Sequence, residues 1–505
     1  MKQPRLTYLF LTFLLALLSA SCKKDSLPAP AAEEEESGSG VYVSVVVNTE
    51  GGNTSRVGSP KPGEEGDGDQ VGTIEENRIY NLHVYFFEGE IDGNQRKGIN
   101  SAGTTEIAAH HYFTQNEISF LGKQATTAPT EIEDLVIGKT YDVLVVANVG
   151  DKFDISEHET LSALTGDKIF AINPATEGEE HFCMSSAKPV YEEGNNSLTI
   201  DSDNSRYNPA TVTVYVERMV ARVDCHLDED NTYDVGKDKV EIQGAILVNK
   251  YKQPSYVFKR VTNGTDLLTN SAVTYLGNEN GNATTVASNY VVDPKTLNPP
   301  TENIAADYDA YFSATDWNQV TWKTLDKNIT STNDNIDYYF LDYTQENVVS
   351  AELAESYRAE YCTGIVFKAQ YKPTNITTAD GTFYWYDNQA FASLDDVKEY
   401  SNALGNIDLS DNNCSGYGIT KYTGGICYYT YWIRHADDGD DTKVSPMEYA
   451  IVRNNIYQIN VTSISTIGPV TPEDNVNAII KAYVVNWDTS IETEDVVWGD
   501  PVSAN

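Results

Sequence analysis

The sequence predicts a mainly β protein: two antiparallel β-sandwich domains carrying a few short helices. Three observations lead there. Tyrosine is abundant, with 33 of 505 residues, and together with many Val, Ile and Thr it favours strands over helices. Short apolar runs alternate in hydropathy and recur between turn-forming residues. Segments with a helical period are few, and the length allows two or three domains with an ample core.

The chain opens with Lys2 and Arg5 ahead of an apolar run from Leu6 to Leu18. This reads as a signal peptide over residues 1–21, because the run is short for a membrane span and small residues follow it. Leu18-Ser19-Ala20-Ser21-Cys22 resembles a bacterial lipobox, with Ser19 where leucine is usual. Cys22 is therefore the expected lipidation site, and an ordinary signal peptide with an incidental cysteine is the alternative. One or two lipid chains anchor a protein without spanning the bilayer, so membrane contact is expected only through this N-terminal lipid. No later segment is apolar enough to cross a membrane. Residues 23–40, rich in Pro, Glu and Gly, form a tether that cannot build a core.

The first strand is expected over Val41–Asn48. A Gly/Asn/Ser loop follows it and carries Arg56, the only arginine between Arg5 and Arg78. Residues 57–73 are again rich in Gly, Pro and acids. Further strand-like runs are IYNLHVYFFEG (79–89), YDVLVVANVG (141–150), TVTVYVERMVARVDCHL (211–227), VEIQGAILVNK (240–250), TGIVFKAQYKP (363–373), TFYWYD (382–387), GICYYTYWIRH (425–435), NNIYQINVTSIS (454–465) and AIIKAYVVNW (478–487). Helices are expected at SEHETLSAL, capped by Ser156 with Glu159, at ENVVSAELAESYRAEY (346–361), and from Ser393 to a stop at Gly405.

A formal charge of −40 argues against nucleic acid and anionic membrane faces as partners, since both demand a cationic footprint. Beyond Cys22 there are five cysteines, Cys183, Cys225, Cys362, Cys414 and Cys427. Their spacing fits no zinc site, and buried thiols are the expectation, with Cys414 and Cys427 the one pair to test. No nucleophile elbow, zinc-protease motif, P-loop or dinucleotide fingerprint is present, so no enzyme activity, catalytic residue, metal or cofactor is expected. DSDNSR (201–206) begins like a calcium loop, but Arg206 stands where glycine is needed and Val212 where a bidentate acid is needed. HADDGDD (435–441) reads as a solvated hairpin tip. His110 and His111 would point to opposite faces of a strand and cannot serve one metal.

Several segments carry a resemblance when taken in order. VTVYVERMVARVDC, with Glu217-Arg218 and Ala221-Arg222, is similar to a strand of the Bacteroidales type V fimbrial subunits. Val452-Arg453-Asn454-Asn455-Ile456-Tyr457, following GGICYYTYWIRH, resembles the C-terminal domain of shaft subunits of the short (minor) Porphyromonas fimbriae. LVVANVG and the closing VVNW with Trp487 fit the same family. The resemblance covers most of the chain in pieces and is weakest across 255–345.

That resemblance implies transthyretin-like sandwiches and a structural role in a cell-surface fimbria (pilus) serving adhesion, auto-aggregation and biofilm formation. It implies export as an acylated (palmitate-bearing) lipoprotein of the outer membrane. An arginine-specific protease then removes the first strand, and the vacated groove takes the C-terminal strand of the next identical subunit, giving a head-to-tail polymer with anchor and tip subunits. Here the cut would follow Arg56 in NTSRVGSP, whose small neighbours suit protease access. Lys61 is poorer because Pro62 follows, and Arg78 lies too near the next strand. An ordinary solvated loop arginine is the other reading of Arg56. The domains expected are 1–21 (signal), 22–56 (tether and removable strand), 57–228 and 229–470 (sandwiches), and 471–505 (donor segment). On the donor strand Ile480, Ala482 and Val484 share one face, while Ile479, Tyr483, Val485 and Trp487 share the other. IETEDVVW (491–498) offers a second stretch, and TIGPVTPEDNVN (466–477) a hinge. The last strand completing its own sheet is the alternative there. A tip adhesin, or a monomeric glycan-binding lipoprotein using aromatics such as those of TFYWYD, is the competing function.

Overall fold

The computed structural model describes residues 40–49, 72–88, 90–92, 95–98, 106–121, 124–150, 160–174, 180–186, 196–228, 230–261, 291–297, 304–325, 329–333, 336–435, 443–444, 448–474, 478–486 and 496–497. The chain divides into Met1–Gly40 and Val41–Asn505. Everything below belongs to the second unit, a mainly β structure of two sandwiches. Among the described residues no helix is long and apolar enough to cross a membrane.

The first sheet has ten strands: β1 Tyr42–Asn48, β2 Leu82–Glu88, β3 Ile107–Phe113, β4 Ile118–Leu121, β5 Gln124–Thr127, β6 Thr130–Glu131, β7 Thr140–Ala147, β8 Met184–Ser186, β9 Ser197–Thr199 and β10 Ala210–Arg218. Their spatial order is β3-β2-β7-β8-β10-β1-β5-β4, with β9 beside β7 and β6 beside β1. The sheet folds over a core in which Val43, Val45 and Val47 meet Val84, Phe86, Val143, Val145, Val212 and Val214. The opposite face of β2 and β7 is also covered, by Leu164, Val257 and Phe258. Burial on both faces explains why these two strands read as nearly unbroken apolar runs instead of alternating.

The second sandwich comprises β11 Val220–His226, β12 Thr232–Val235, β13 Asp238–Val248, β14 Ile329–Asn333, β15 Ile336–Gln345, β16 Gly364–Lys372, β17 Phe383–Tyr386, β18 Gln389–Phe391, β19 Thr420–Tyr422, β20 Ile426–Trp432, β21 Asn455–Ile464, β22 Ala478–Asn486 and β23 Val496–Val497. One sheet runs β14-β15-β11-β21-β22-β23 and the facing one β12-β13-β16-β20. Alternate residues of both close the core, among them Val223, Ile459, Ile242, Phe367 and Tyr429. The three strands β18-β17-β19 form an excursion between β16 and β20, with its own cluster around Val397, Leu409 and Ile419.

Several expectations shift. The run 211–227 is two strands: β10 ends in the first sheet, Met219 makes the crossing, and β11 opens the second. The passage between sheets thus falls at Met219, whereas the sequence reading drew its boundary at 228. The helix expected from 346 spans Ala351–Tyr361, because Ser350 caps it and Glu346 and Asn347 are spent on buried side-chain contacts. The helix from Ser393 stops at Tyr400, where the chain turns so that Leu404 and Leu409 can join the local cluster. The helix Leu161–Gly166 is capped by Thr160, and the expected Ser156–Glu159 box lies outside the described residues.

Candidate functional site

The first strand is an interior one. β1 runs parallel to β10, in register from Val43 opposite Ala210 to Asn48 opposite Tyr215. On its other side it pairs antiparallel with β5, through Val46 and Thr126, and with β6, through Val43 and Thr130. Between those two short partners the side chain of Thr127 takes over. Its Oγ1 accepts the Val45 N–H at 2.9 Å, and its carbonyl accepts Ser44 Oγ at 2.9 Å. Val41, Val43, Val45 and Val47 are all buried. β1 therefore fills a slot bounded by backbone on both sides, and it continues into the rest of its own domain only through residues 50–71. Arg56 lies in that connection, outside the described residues, as does Cys22 further upstream.

The last long strand sits differently. β22 pairs with β21 from Ala478 opposite Ile464 to Asn486 opposite Asn455, with Ile480, Ala482 and Val484 opposite Val461, Ile459 and Tyr457. Ile479, Tyr483 and Val485 stand opposite Ser463, Gln458 and Ile456. Its outer neighbour β23 meets only Lys481 and Ala482. Among the described residues, β22 is thus hydrogen-bonded along one side and nearly an edge on the other. Trp487 lies outside the described residues.

The connection expected to be a hinge is strapped to the facing sheet. Tyr429 Oη donates to Thr466 O at 2.9 Å and accepts from Gly468 N at 3.0 Å. Tyr422 Oη donates to Gly468 O at 3.0 Å, Tyr428 N to Pro469 O at 3.0 Å, and Trp432 Nε1 to Asp474 Oδ1 at 2.5 Å. The strap covers the edge of β20. It lies so close that a Cβ on residue 468 would run into the Tyr428 carbonyl, which is why glycine stands there.

The charged residues of the 217–222 segment form the joint between the sandwiches. Thr73 caps the short helix α1, Ile74–Asn77, and so places Glu76 over the crossing. Arg222 Nη1 reaches both Glu76 oxygens at 3.2 Å, while its Nη2 meets Asp224 Oδ2 at 2.8 Å. Arg218 donates through Nε to Glu76 O and through Nη1 to Asn454 Oδ1, each at 3.1 Å. Lys259 pairs with Glu217 at 2.5 Å. Arg453 meets Glu346 at 2.9 Å and donates to Tyr256 O at 2.7 Å. Burial works to raise the Glu76 carboxyl, but Arg222, Tyr343 and the Thr73 N–H outweigh it and hold the group below its usual range. Burial wins at Glu217, which is raised despite Lys259. Sequence reasoning marked Glu217, Arg218, Arg222 and Arg453 as family-like without a role; it missed Glu76, Lys259 and Glu346, which sit far off in the chain with no local pattern.

Elsewhere, the five described cysteines are free and buried, Cys414 and Cys427 included. Burial pushes the thiols of Cys183 and Cys427 up to about 12 and about 11. His110 packs against His83, with ring nitrogens 3.1 Å apart, whereas His111 meets Phe113 edge-on. The 201–208 turn closes on itself through Asn204 and Asn208. Among the described residues no group of three His, Cys, Asp or Glu is placed to hold a metal. His435 is described; 436–441 is not.

The described residues thus form two linked sandwiches, with an interior strand near the N-terminal end and a near-edge strand near the C-terminal end. Residues 420–498, which span β19 to β23, match the family described as major fimbrial subunit protein type IV, fimbrillin, C-terminal. No curated protein matches the chain. Among solved structures, a Parabacteroides distasonis protein assigned to cell adhesion is similar at 15% identity and a TM-score of 0.41, over 90% of this chain and 99% of its own. The C-terminally truncated tip fimbrial protein Mfa3 of Porphyromonas gingivalis is similar at 11% and 0.38, over 88% and 99%. The fimbrilin FimA of Porphyromonas gingivalis is similar at 14% and 0.33, over 89% and 98%. Likenesses this distant carry no functional argument.

Proposed function

We propose that this chain is the structural shaft subunit of a cell-surface fimbria, exported as a lipoprotein on Cys22, cut after Arg56 and polymerised when the Ala478–Asn486 strand of a neighbour replaces β1. The observation that carries the reading is the interior position of β1. A cut anywhere in 50–71 would turn a core strand into a separate peptide held by hydrogen bonds and four valines. Its departure would leave a slot with unpaired backbone on both sides. An incoming strand gains main-chain bonds along both walls and burial at alternate positions, each large apolar side chain contributing about 1.5–3 kcal/mol. β22 surrenders one ladder when it leaves, so the exchange replaces a near-edge strand by an interior one. Adhesion, auto-aggregation and biofilm formation would follow from the fibre, with anchor and tip subunits at its ends. The aromatics of β17 support the glycan-binding reading poorly: Tyr384 and Tyr386 pack on their own cluster, and Trp385 packs against Tyr371.

The test is to treat purified precursor with an arginine-specific protease, then read its N-terminus by mass spectrometry and its size on an unboiled gel. Cleavage after Arg56 and a ladder of oligomers, both absent in Arg56→Gln and the ladder alone absent on deletion of 478–505, supports the proposal. A chain that retains β1 and stays monomeric under this treatment overturns it.

A further inference from the structure

The segment after β15 and the short helix Pro294–Leu297 meet at a buried triad that strand exchange does not use. Lys295, Asp293 and Asn347 are each more than nine-tenths buried. Lys295 Nζ lies directly against Asn347 Oδ1 and 3.3 Å from Asp293 Oδ2. The Tyr251 and Tyr308 rings wall the amine, their centroids 4.7 and 5.9 Å away. The carboxamide is held in one orientation: Asn347 Nδ2 donates to Tyr361 O at 3.0 Å and to Thr363 Oγ1 at 2.8 Å, which turns the carbonyl toward the lysine. Asp293 is fixed as well, accepting the Val348 N–H at 2.7 Å.

We propose that Lys295 and Asn347 condense into an intramolecular isopeptide bond, with Asp293 as the proton carrier. The three groups are what such an amide exchange requires. Lys295 passes its extra proton to the Asp293 carboxylate, and the free amine attacks Cγ of Asn347. Protonated Asp293 donates to the carboxamide oxygen as the tetrahedral centre forms. That centre collapses with proton transfer to the original amide nitrogen, which leaves as ammonia while the new C–N bond remains. One amide bond replaces another, the departing ammonia takes the lysine's extra proton back from Asp293 and ends as ammonium, Asp293 returns to its carboxylate, and no oxidant or reductant enters. Burial lowers the Lys295 amine below the usual lysine range, although Asp293 works in the other direction; the neutral nucleophile is correspondingly accessible. Fixed partners in contact remove the positional entropy that makes the same reaction slow between free amides, and the apolar walls strengthen the hydrogen bond from Asp293 to the developing oxyanion. The product ties residue 295 to residue 347 and closes the intervening chain covalently across the second sandwich.

The experiment is an intact mass of the purified, denatured full chain followed by a peptide map with fragment sequencing. The expected result is a chain lighter by one ammonia and a branched peptide joining the Lys295 and Asn347 segments, in place of the two linear peptides. Lys295→Arg and Asp293→Asn should both restore the linear peptides, the second while keeping both bonding partners. Linear, unmodified Lys295 and Asn347 peptides from wild-type protein overturn the proposal, as does an ammonia deficit mapped to some other residue. A branched peptide at undiminished yield in Asp293→Asn overturns the role given to Asp293. The wild-type map decides the bond whether or not the variants fold, and it is independent of polymerisation, which Lys295 and Asn347 do not touch.

Discussion

Arg222 is fully buried and still charged, because Glu76 and Asp224 meet it from two directions. Removing one member of such a group leaves the others buried without compensation, so Arg222→Ala should cost about 3–5 kcal/mol in urea unfolding. The same joint responds to acid. Glu76 is held below its ordinary value of 4.5, so its contribution is present above that value and is lost as pH falls through the lower folded pKa. His435 adds an earlier loss: burial lowers it from 6.5 to about 3, so the unfolded chain takes up its proton first. Stability should therefore fall by about 1.4 kcal/mol per pH unit across that window from this group. Urea midpoints measured against pH should show the slope, and His435→Asn should flatten it. None of this was legible in the sequence. Glu217, Arg218 and Arg222 are charges inside an otherwise apolar run, which carries no sign that all three are buried around the crossing at Met219, and Glu76 is brought to them by the fold alone.

At the scale of elements, β1 is keyed into its slot by Thr127, whose hydroxyl stands in for a missing backbone partner. Thr127→Val would strand the Val45 N–H and should weaken retention of the cut strand by about 1–3 kcal/mol, read as faster loss of the 22–56 peptide after proteolysis. The strap over β20 governs the other strand. Gly468→Ala would collide with the Tyr428 carbonyl and lift the strap, so β22 should exchange its amide hydrogens faster while β11 and β16 keep their protection. The strands themselves were readable: each of the nine runs between residues 79 and 487 holds a strand, most by period-two hydropathy and β2 and β7 as nearly unbroken apolar runs. Their sheet assignment was not. Hydropathy records that a strand is buried and carries nothing about which neighbour buries it, so a continuous run such as 211–227 hid a change of sheet. The strapping of 466–474 was not readable for a related reason: Pro and Gly signal a turn, whereas the tyrosines that pin this one lie in residues 420–432.

Over the whole molecule, β10 and β11 are one length of chain with Met219 between them, and each lies parallel to a strand that has a place in the proposed exchange. β1 runs alongside β10, and β21, the partner of β22, runs alongside β11. With a neighbour's strand in the place of β1, tension along a fibre would enter β10 through a ladder loaded lengthwise, pass one covalent link, and leave β11 through a second such ladder. Hydrogen bonds loaded in this direction share the force and must break together, whereas a ladder opened from its end breaks bond by bond. Pulling single filaments should accordingly show rupture at high force with little stretching before it, and the first event should be loss of whole subunits instead of gradual unravelling of either sandwich.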